Sequence, residues 1–268
     1  MINHPVDPKA YEYLRTLSNR GRRPNFWTSA EYFNRAGWRD NSFDGWVWIE
    51  DESGKCMLPP LIQRGATPQT QFPMGIDYVW SDFPNWGQPD WNKWFLDFEY
   101  LYRPKSFHKM EGKRWMKFRK NIRKWPRSLP DKIEPEYTFA TPIKSNVEEL
   151  FVEWMGTFGE GLSFYDPDVM ADYVFHPPHH QAAYLYAGGK LMGMNIWDSN
   201  HMFINYRYAI HREEPFLNEY LRYCFYMDKW ESLTIVNDGG CCGSKGLKQF
   251  KDTLNPWRIR EVYTWEAK

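Results

Sequence analysis

The sequence predicts an α+β fold, a mixed and mostly antiparallel sheet flanked by helices. Three observations lead to it. From residue 145 onward, helical and strand periodicities alternate in the order α-α-β-β-β-α-β-α-β. The N-terminal third is punctuated by Gly, Pro and Asp and carries a hairpin pattern. Hydrophobic residues make up 42% of the 268, enough to bury a core and too many for a disordered chain.

In chain order, GWVWIEDESGKCMLPPLI at 45–62 reads as a hairpin, with a strand at Trp46–Ile49, a turn over Asp51–Gly54 and a return strand. DYVWSDFP at 77–84 reads as a strand entering a loop. DWNKWFLDFEYLYRP at 90–104 reads as a short helix followed by a strand ending near Arg103. Residues 106–125 predict one helix: Trp115, Phe118, Ile122 and Trp125 fall at i, i+3, i+7 and i+10 as an apolar stripe. Pro126 and Pro130 stop it, and DKIEPEYTFATPI at 131–143 is an extended boundary.

Beyond the boundary, Ser145 caps an amphipathic helix over 145–158. Asp166 caps a second over 166–176, with Pro167 at its first position. Residues 181–210 give three strands joined by tight turns at Gly188–Gly189 and Ser199–Asn200. A long helix over 214–230, a buried strand over 232–238, a helix over 243–254 and a closing strand over 258–268 complete the order. The chain thus divides into an N-terminal segment at 1–105, a basic linking helix at 106–130 and a C-terminal unit at 131–268.

Lys and Arg number 34, as do Asp and Glu, so no global basic field advertises a nucleic-acid or membrane partner. No run reaches the ~18 apolar residues of a membrane span, and MINHPVDPKA lacks a signal peptide's apolar stretch. A cytoplasmic protein without stable membrane insertion is expected. Aromatic residues reach 19%, with 15 Trp, which predicts an aromatic-heavy core; the same residues on a surface would stack bases or a flat ligand. Cys56, Cys224, Cys241 and Cys242 show no C-x-x-C spacing, and no disulfide framework is expected. Prolines interrupt His176, His179 and His180, so a loop and no metal site is expected there.

Charge is segregated locally. Between Lys109 and Arg127 lie nine Lys/Arg against one acid, Glu111. Lys113, Arg114, Lys117, Arg119, Lys120, Arg123 and Lys124 are therefore candidate polyanion-binding residues, because neutralising phosphates releases counterions and gives salt-sensitive affinity. A tRNA acceptor stem, DNA or an anionic lipid surface would suit them. The plainer alternative is a solvated helix face whose lysine stems cover aromatics.

The element order resembles the GNAT acyltransferase superfamily, in which the sheet opens between its fourth and fifth strands and an acyl donor's amides pair with exposed strand backbone. Two stretches sharpen the likeness. GKRWMKFRKNIRKW at 112–125 resembles the basic helix of the phosphatidylglycerol lysyltransferase catalytic-domain family, with Gly112, Lys113, Arg114, Trp115, Lys117, Arg119, Ile122, Lys124 and Trp125 in matching slots. Lys120 stands where that family has Asn, and Asn121 follows it. VNDGGCCGSKGLKQFKDTLNP at 236–256 is similar to the family's strand, acidic loop and helix, through Asn237, Asp238, Gly246, Leu247 and Pro256, with Lys248 or Lys251 for its lysine. The resemblance implies a tandem GNAT-like fold with a degenerate N-terminal unit. It also implies an acyl or aminoacyl transferase drawing on aminoacyl-tRNA. The family's lipid substrate is not carried over.

Acyl transfer needs a proton acceptor, an oxyanion stabiliser and a positioned donor. The fourth and fifth strand ends supply Asn205, Tyr206, Asn237 and Asp238, of which Asp238 is the preferred base or amine-positioning group and Tyr206 a donor to the leaving oxygen. Asp238 would equally serve as a helix cap. Arg212 and Lys245 are candidate donor-binding residues. The Gly-rich loop that holds a CoA pyrophosphate is replaced by HREEPFLNEY at 211–220, where Glu214, Pro215 and Phe216 disfavour acyl-CoA. No cofactor is expected beyond aminoacyl-tRNA as co-substrate. A covalent route through Cys241 or Cys242 lacks an activating base. The expected partners are tRNA or another nucleic acid and a small-molecule or macromolecular acceptor, with a nucleic-acid base among the options. An acyl-CoA N-acetyltransferase and a non-catalytic nucleic-acid-binding module are the rival readings.

Overall fold

The computed structural model describes residues 29–43, 46–54, 56–62, 78–81, 91–158, 166–199, 203–231, 234–241 and 243–267. Along the chain they form α1 (Ala30–Arg35), β1 (Arg39–Phe43), β2 (Trp46–Glu50), β3 (Cys56–Ile62), β4 (Tyr78–Ser81), β5 (Trp91–Tyr102), α2 (Pro104–Lys109), α3 (Met116–Asn121) and α4 (Lys124–Ser128). There follow β6 (Pro135–Thr138), α5 (Lys144–Phe158), α6 (Pro167–Phe175), β7 (Ala182–Ala187), β8 (Lys190–Ser199) and β9 (Phe203–His211). The chain closes with α7 (Leu217–Asp228), β10 (Ile235–Asn237), α8 (Lys245–Thr253) and β11 (Arg258–Ala267). They belong to two units, one of Met1–Glu99, Ser199–Phe203 and Ile259–Lys268, the other of Tyr100–Asp198 and Ile204–Arg258.

In the first unit the sheet order is β1-β2-β3-β4-β11. The expected hairpin is present as β2 against β3, and β1 adds an antiparallel neighbour in which Asn41 faces Trp48. Glu50 accepts from both Asn41 Nδ2 at 3.0 Å and Trp48 Nε1 at 2.8 Å, so one carboxylate ties the two strands. Trp91–Tyr102, in the segment read as part helix, forms the single strand β5. Apolar and aromatic residues at mixed spacing suit either state, and strand pairing decides.

The second unit carries α2 to α8. Its sheet runs β10-β9-β8-β7-β6, and the last residues of β5 join it, Tyr102 opposite Val236 and Leu101 opposite Asn237. β6 falls in the segment read as an extended boundary, and pairs antiparallel with β7 from Pro135↔Ala187 to Thr138↔Tyr184. Gly188 and Gly189, both at positive φ (57° and 78°), make the two-residue turn into β8. Such a turn needs φ above zero at both positions. Asp166 caps α6, accepting from Asp168 N at 2.9 Å and Val169 N at 3.3 Å, with Pro167 at the first position. α5 starts at Lys144, which puts Ser145 inside its first turn rather than at the cap. Asn200 lies outside the described residues.

The expected helix over 106–125 is broken into α2, a 3-10 turn at Lys113–Trp115, α3 and α4. Met110 and Gly112 take positive φ (40° and 85°), and the Arg119 guanidinium donates to both of their carbonyls, at 3.2 Å for Gly112. Like charges four apart, as at Lys113/Lys117 and Lys120/Lys124, weaken a continuous helix. The apolar stripe survives the breaks: Trp115, Phe118, Ile122 and Trp125 are all buried. Trp115 and Phe118 pack edge-on against Phe107, whose ring stacks on Tyr226 with centroids 3.7 Å apart. Trp125 joins Leu185, Met192, Leu217 and Leu221 in the core beneath α7. Much of the aromatic load is thus core, and the Trp125 indole N–H finds a partner there by donating to Glu214. Among the described residues no helix is long and apolar enough to cross a membrane.

Candidate functional site

β9, the loop after β10 and helices α5 to α8 line a cavity of about 440 Å³ within the second unit. β9 supplies Arg207, Tyr208 and His211; α7 supplies Asn218 and Arg222; the loop after β10 and α8 supply Asp238, Cys241, Ser244, Phe250 and Lys251. Trp154 and Phe158 of α5 and Met170 of α6 give it an aromatic and apolar side. β10 lies next to β9 in the sheet, so the cavity sits at the junction of the strands read as fourth and fifth.

Asp238 anchors the polar side. Its backbone N–H continues the β5 ladder, donating to Tyr100 O at 2.9 Å. Its side chain is nearly sealed: one oxygen accepts from Arg222, and Lys251 Nζ stands 3.4 Å from the other. Lys251 also donates to the carbonyls of Asp238 and, at 2.6 Å, Gly240, which fixes α8 against the loop. The Arg222 guanidinium lies 3.8 Å over the Tyr206 ring. Burial alone would lower the Arg222 pKa, but Asp238 and Tyr206 outweigh it and the group is held charged. Two buried cations therefore share one carboxylate. Of the two lysines that the resemblance left open, Lys251 is the buried one, whereas Lys248 is exposed and pairs with Asp252 at 3.0 Å.

The other predicted strand residues face elsewhere. Tyr206 is fully buried with its hydroxyl donating to Asn195 Oδ1, and burial raises its pKa. Asn205 donates to Asp198 at 2.9 Å, and Asp198 also receives Arg207 Nε at 2.7 Å and the Tyr173 hydroxyl at 2.6 Å. Asn237 Oδ1 accepts from Gly239 N at 3.0 Å, an Asx turn that leads the chain out of β10. None of these three lines the cavity.

Arg212 is turned away from it as well. It forms ion pairs with Glu149 at 2.7 Å and with Glu153, and its Nε donates to Leu191 O at 2.9 Å, so it clamps α5 to the sheet. The hydrogen bond from Arg212 lowers the Glu149 pKa. Lys245 is exposed in the first turn of α8, beside the cavity-lining Ser244, whose Oγ caps Leu247 N at 3.2 Å. In the loop at 211–220, Glu214 is taken by Trp125 and Phe216 (φ 67°) lies under Lys124 Nζ at 3.9 Å. Cys241 lines the cavity, Cys242 lies outside the described residues, and burial pushes the Cys224 thiol up to about 12.

Within the basic segment, Lys113, Arg114, Lys117, Lys120 and Arg123 are exposed, while Arg119 and Lys124 are spent on local structure. The segment docks on the start of α7 through Asn121 to Glu219 at 3.1 Å and Trp125 to Glu214. The same helix places Asn218 and Arg222 in the cavity wall.

Sequence reasoning missed His211. It lines the cavity, buried against Phe158, with Nδ1 2.8 Å from Arg212 O. That contact makes Nδ1 the protonated nitrogen and leaves a lone pair on Nε2. Burial lowers its pKa, so the neutral ring is the resting form. Gly193 on β8 makes room: a Cβ there would meet His211 Cβ at 3.2 Å and Ile210 O at 3.1 Å. One histidine at a strand end carries no motif; only the alternation of β9 could have flagged it.

No protein-family profile matches the chain, and no curated protein resembles it in sequence. Solved structures do resemble it. A conserved protein of unknown function from Bacteroides thetaiotaomicron superposes over 100% of both chains at TM-score 0.72 and 13% identity. The C-terminal domain named for lysylphosphatidylglycerol synthetase in Agrobacterium fabrum does so over 96% of this chain and 92% of its own, at 0.58 and 12%. A tandem GNAT protein from the clavulanic acid biosynthesis pathway covers 100% of this chain and 98% of its own, at 0.52 and 9%. At such identities the likeness is one of fold, and the fold is tandem GNAT-like.

Proposed function

We propose that this chain is an acyltransferase that takes an aminoacyl group from aminoacyl-tRNA and passes it to an amine or hydroxyl acceptor in the cavity beside β9 and β10. The observation that carries the reading is the cavity itself: buried charge, a neutral histidine and aromatic walls at the strand junction of a GNAT-like sheet. His211 Nε2 accepts the proton of the attacking amine or hydroxyl as the new bond to the acyl carbon forms. As the tetrahedral intermediate collapses, the His211 imidazolium returns that proton to the departing ribose oxygen, beside the positive charge that Arg222 and Lys251 bring to the same cavity. Asp238 then acts as the counter-charge that positions those two cations, since both of its oxygens are engaged. Tyr206 acts through Asn195 and the Arg222 stack rather than on the leaving oxygen.

The exposed cations of the basic segment are assigned to the tRNA backbone, and their docking on α7 brings that grip to the helix that lines the cavity. Acyl-CoA is disfavoured because the loop at 211–220 is already occupied by internal contacts of Arg212, Glu214 and Phe216. Binding of labelled aminoacyl-tRNA, uncharged tRNA and duplex DNA across a salt series tests the donor. Preference for the charged tRNA with a steep salt slope is expected. Equal binding of all three, or none at low salt, overturns the donor assignment, and protection from heat by CoA would replace it.

A further inference from the structure

We propose that the cavity selects an acceptor bearing a carboxylate on an apolar or aromatic body; this rests on the acyltransfer reading above and narrows it. Arg222 and Lys251 face one anion, Asp238, so the cluster keeps one positive charge at the cavity wall. Arg222 is nine-tenths buried, and its Nε has no hydrogen-bond partner. Asn218, one turn before Arg222 on α7, lines the same wall. A buried charge without compensation is costly, and a bound anion relieves it.

The size of the excess names the anion. One uncompensated charge matches a monoanion, whereas a phosphate near its dianionic form would exceed it. The rest of the wall agrees: His211 is held neutral, and Trp154, Phe158, Met170 and Phe250 offer apolar surface for a body. A cavity of about 440 Å³ suits a molecule the size of an amino acid derivative. An aminoacyl group esterified to tRNA has already given up its α-carboxylate, so an α-carboxylate held here belongs to the acceptor.

Calorimetric titration of the whole chain with N-acetyl-L-phenylalanine, its neutral amide and inorganic phosphate tests this. The carboxylate is expected to bind about tenfold tighter than the amide, the weight of one charge-assisted hydrogen bond. Phosphate is expected to bind no tighter than the amide. Lys251→Met, which brings the cluster to charge balance, should erase the preference. Asn218→Asp, which adds an anion to the wall without touching the Lys251 anchor, should erase it too. Equal affinity for carboxylate and amide, tighter binding of phosphate, or a preference that survives Asn218→Asp overturns the proposal. Transfer from aminoacyl-tRNA without carboxylate selection retires the acceptor class alone, whereas carboxylate selection without any transfer retires the acyltransfer reading alone.

Discussion

Replacing Asp238 by Asn removes the carboxylate that balances Arg222 and Lys251, while keeping the side chain's shape. The three side chains are 2%, 7% and 3% exposed, so water screens little of the result. At the 3.4 Å separation of Lys251 Nζ and Asp238 Oδ1, an effective dielectric of about 20 gives about 5 kcal/mol of gross attraction. The Asn oxygen still accepts one hydrogen bond, which places the net loss near the lower end of the range of about 3–5 kcal/mol for breaking a buried pair. Against a total stability of about 5–15 kcal/mol, that is a large fraction. Guanidinium denaturation of the purified chain should show a markedly lower midpoint. The double variant Asp238→Asn, Lys251→Met should recover part of it, because one buried cation is then removed together with its partner. A loss under about 1 kcal/mol, the cost of an exposed pair, would refute the description of this cluster as buried and mutually dependent.

Other outcomes follow from the same geometry. Gly193→Ala pushes a methyl to 3.1 Å from both Ile210 O and Leu221 Cδ2, and should lower the melting temperature by the equivalent of about 1–3 kcal/mol, read by calorimetry. His211 is neutral when folded, its pKa held below the ordinary 6.5 chiefly by burial. Below pH 6.5 the unfolded chain takes up a proton that the folded chain refuses. Its contribution to stability is therefore complete above that pH and is lost as pH falls toward the folded value. His211→Gln should flatten that part of a denaturation series across pH. Reversing charge at the exposed Lys117 and Lys120 should weaken tRNA binding and reduce the magnitude of its salt slope by about 2, one for each phosphate no longer neutralised.

The parts of the fold legible in the sequence are those fixed by neighbouring residues. The α6 cap is local chemistry between Asp166 and the amides of Asp168 and Val169, and the glycine pair before β8 takes at no steric cost the positive φ that its turn requires at both positions. Elements fixed by distant pairing were less legible: β6 is a strand because β7 lies beside it, and β5 because its last residues pair with β10. The basic segment shows both cases. Its apolar spacing correctly gave the buried face, but the breaks depend on Arg119 reaching back to the carbonyls of Met110 and Gly112.

The site divides the same way. Asp238 stands out at the end of a strand, whereas its partners come from 16 residues before it and 13 after it, on two different helices. Arg212 draws notice as a cation before a helix, yet Glu149 and Glu153, 63 and 59 residues away, claim it. His211 gains its chemistry from burial and from a neighbour's carbonyl, neither of which a sequence displays.

Acyl transfer itself is tested most directly by following label from a mixture of radiolabelled aminoacyl-tRNAs into an acceptor fraction rich in carboxylate-bearing amines. The wild-type chain should move label off tRNA into a stable, alkali-resistant amide, and His211→Gln should slow that step by about 100-fold or more while leaving tRNA binding unchanged. If label stays on tRNA with the wild-type chain at every acceptor concentration, or if His211→Gln transfers it at the wild-type rate, the account of this cavity as an acyltransfer site is contradicted.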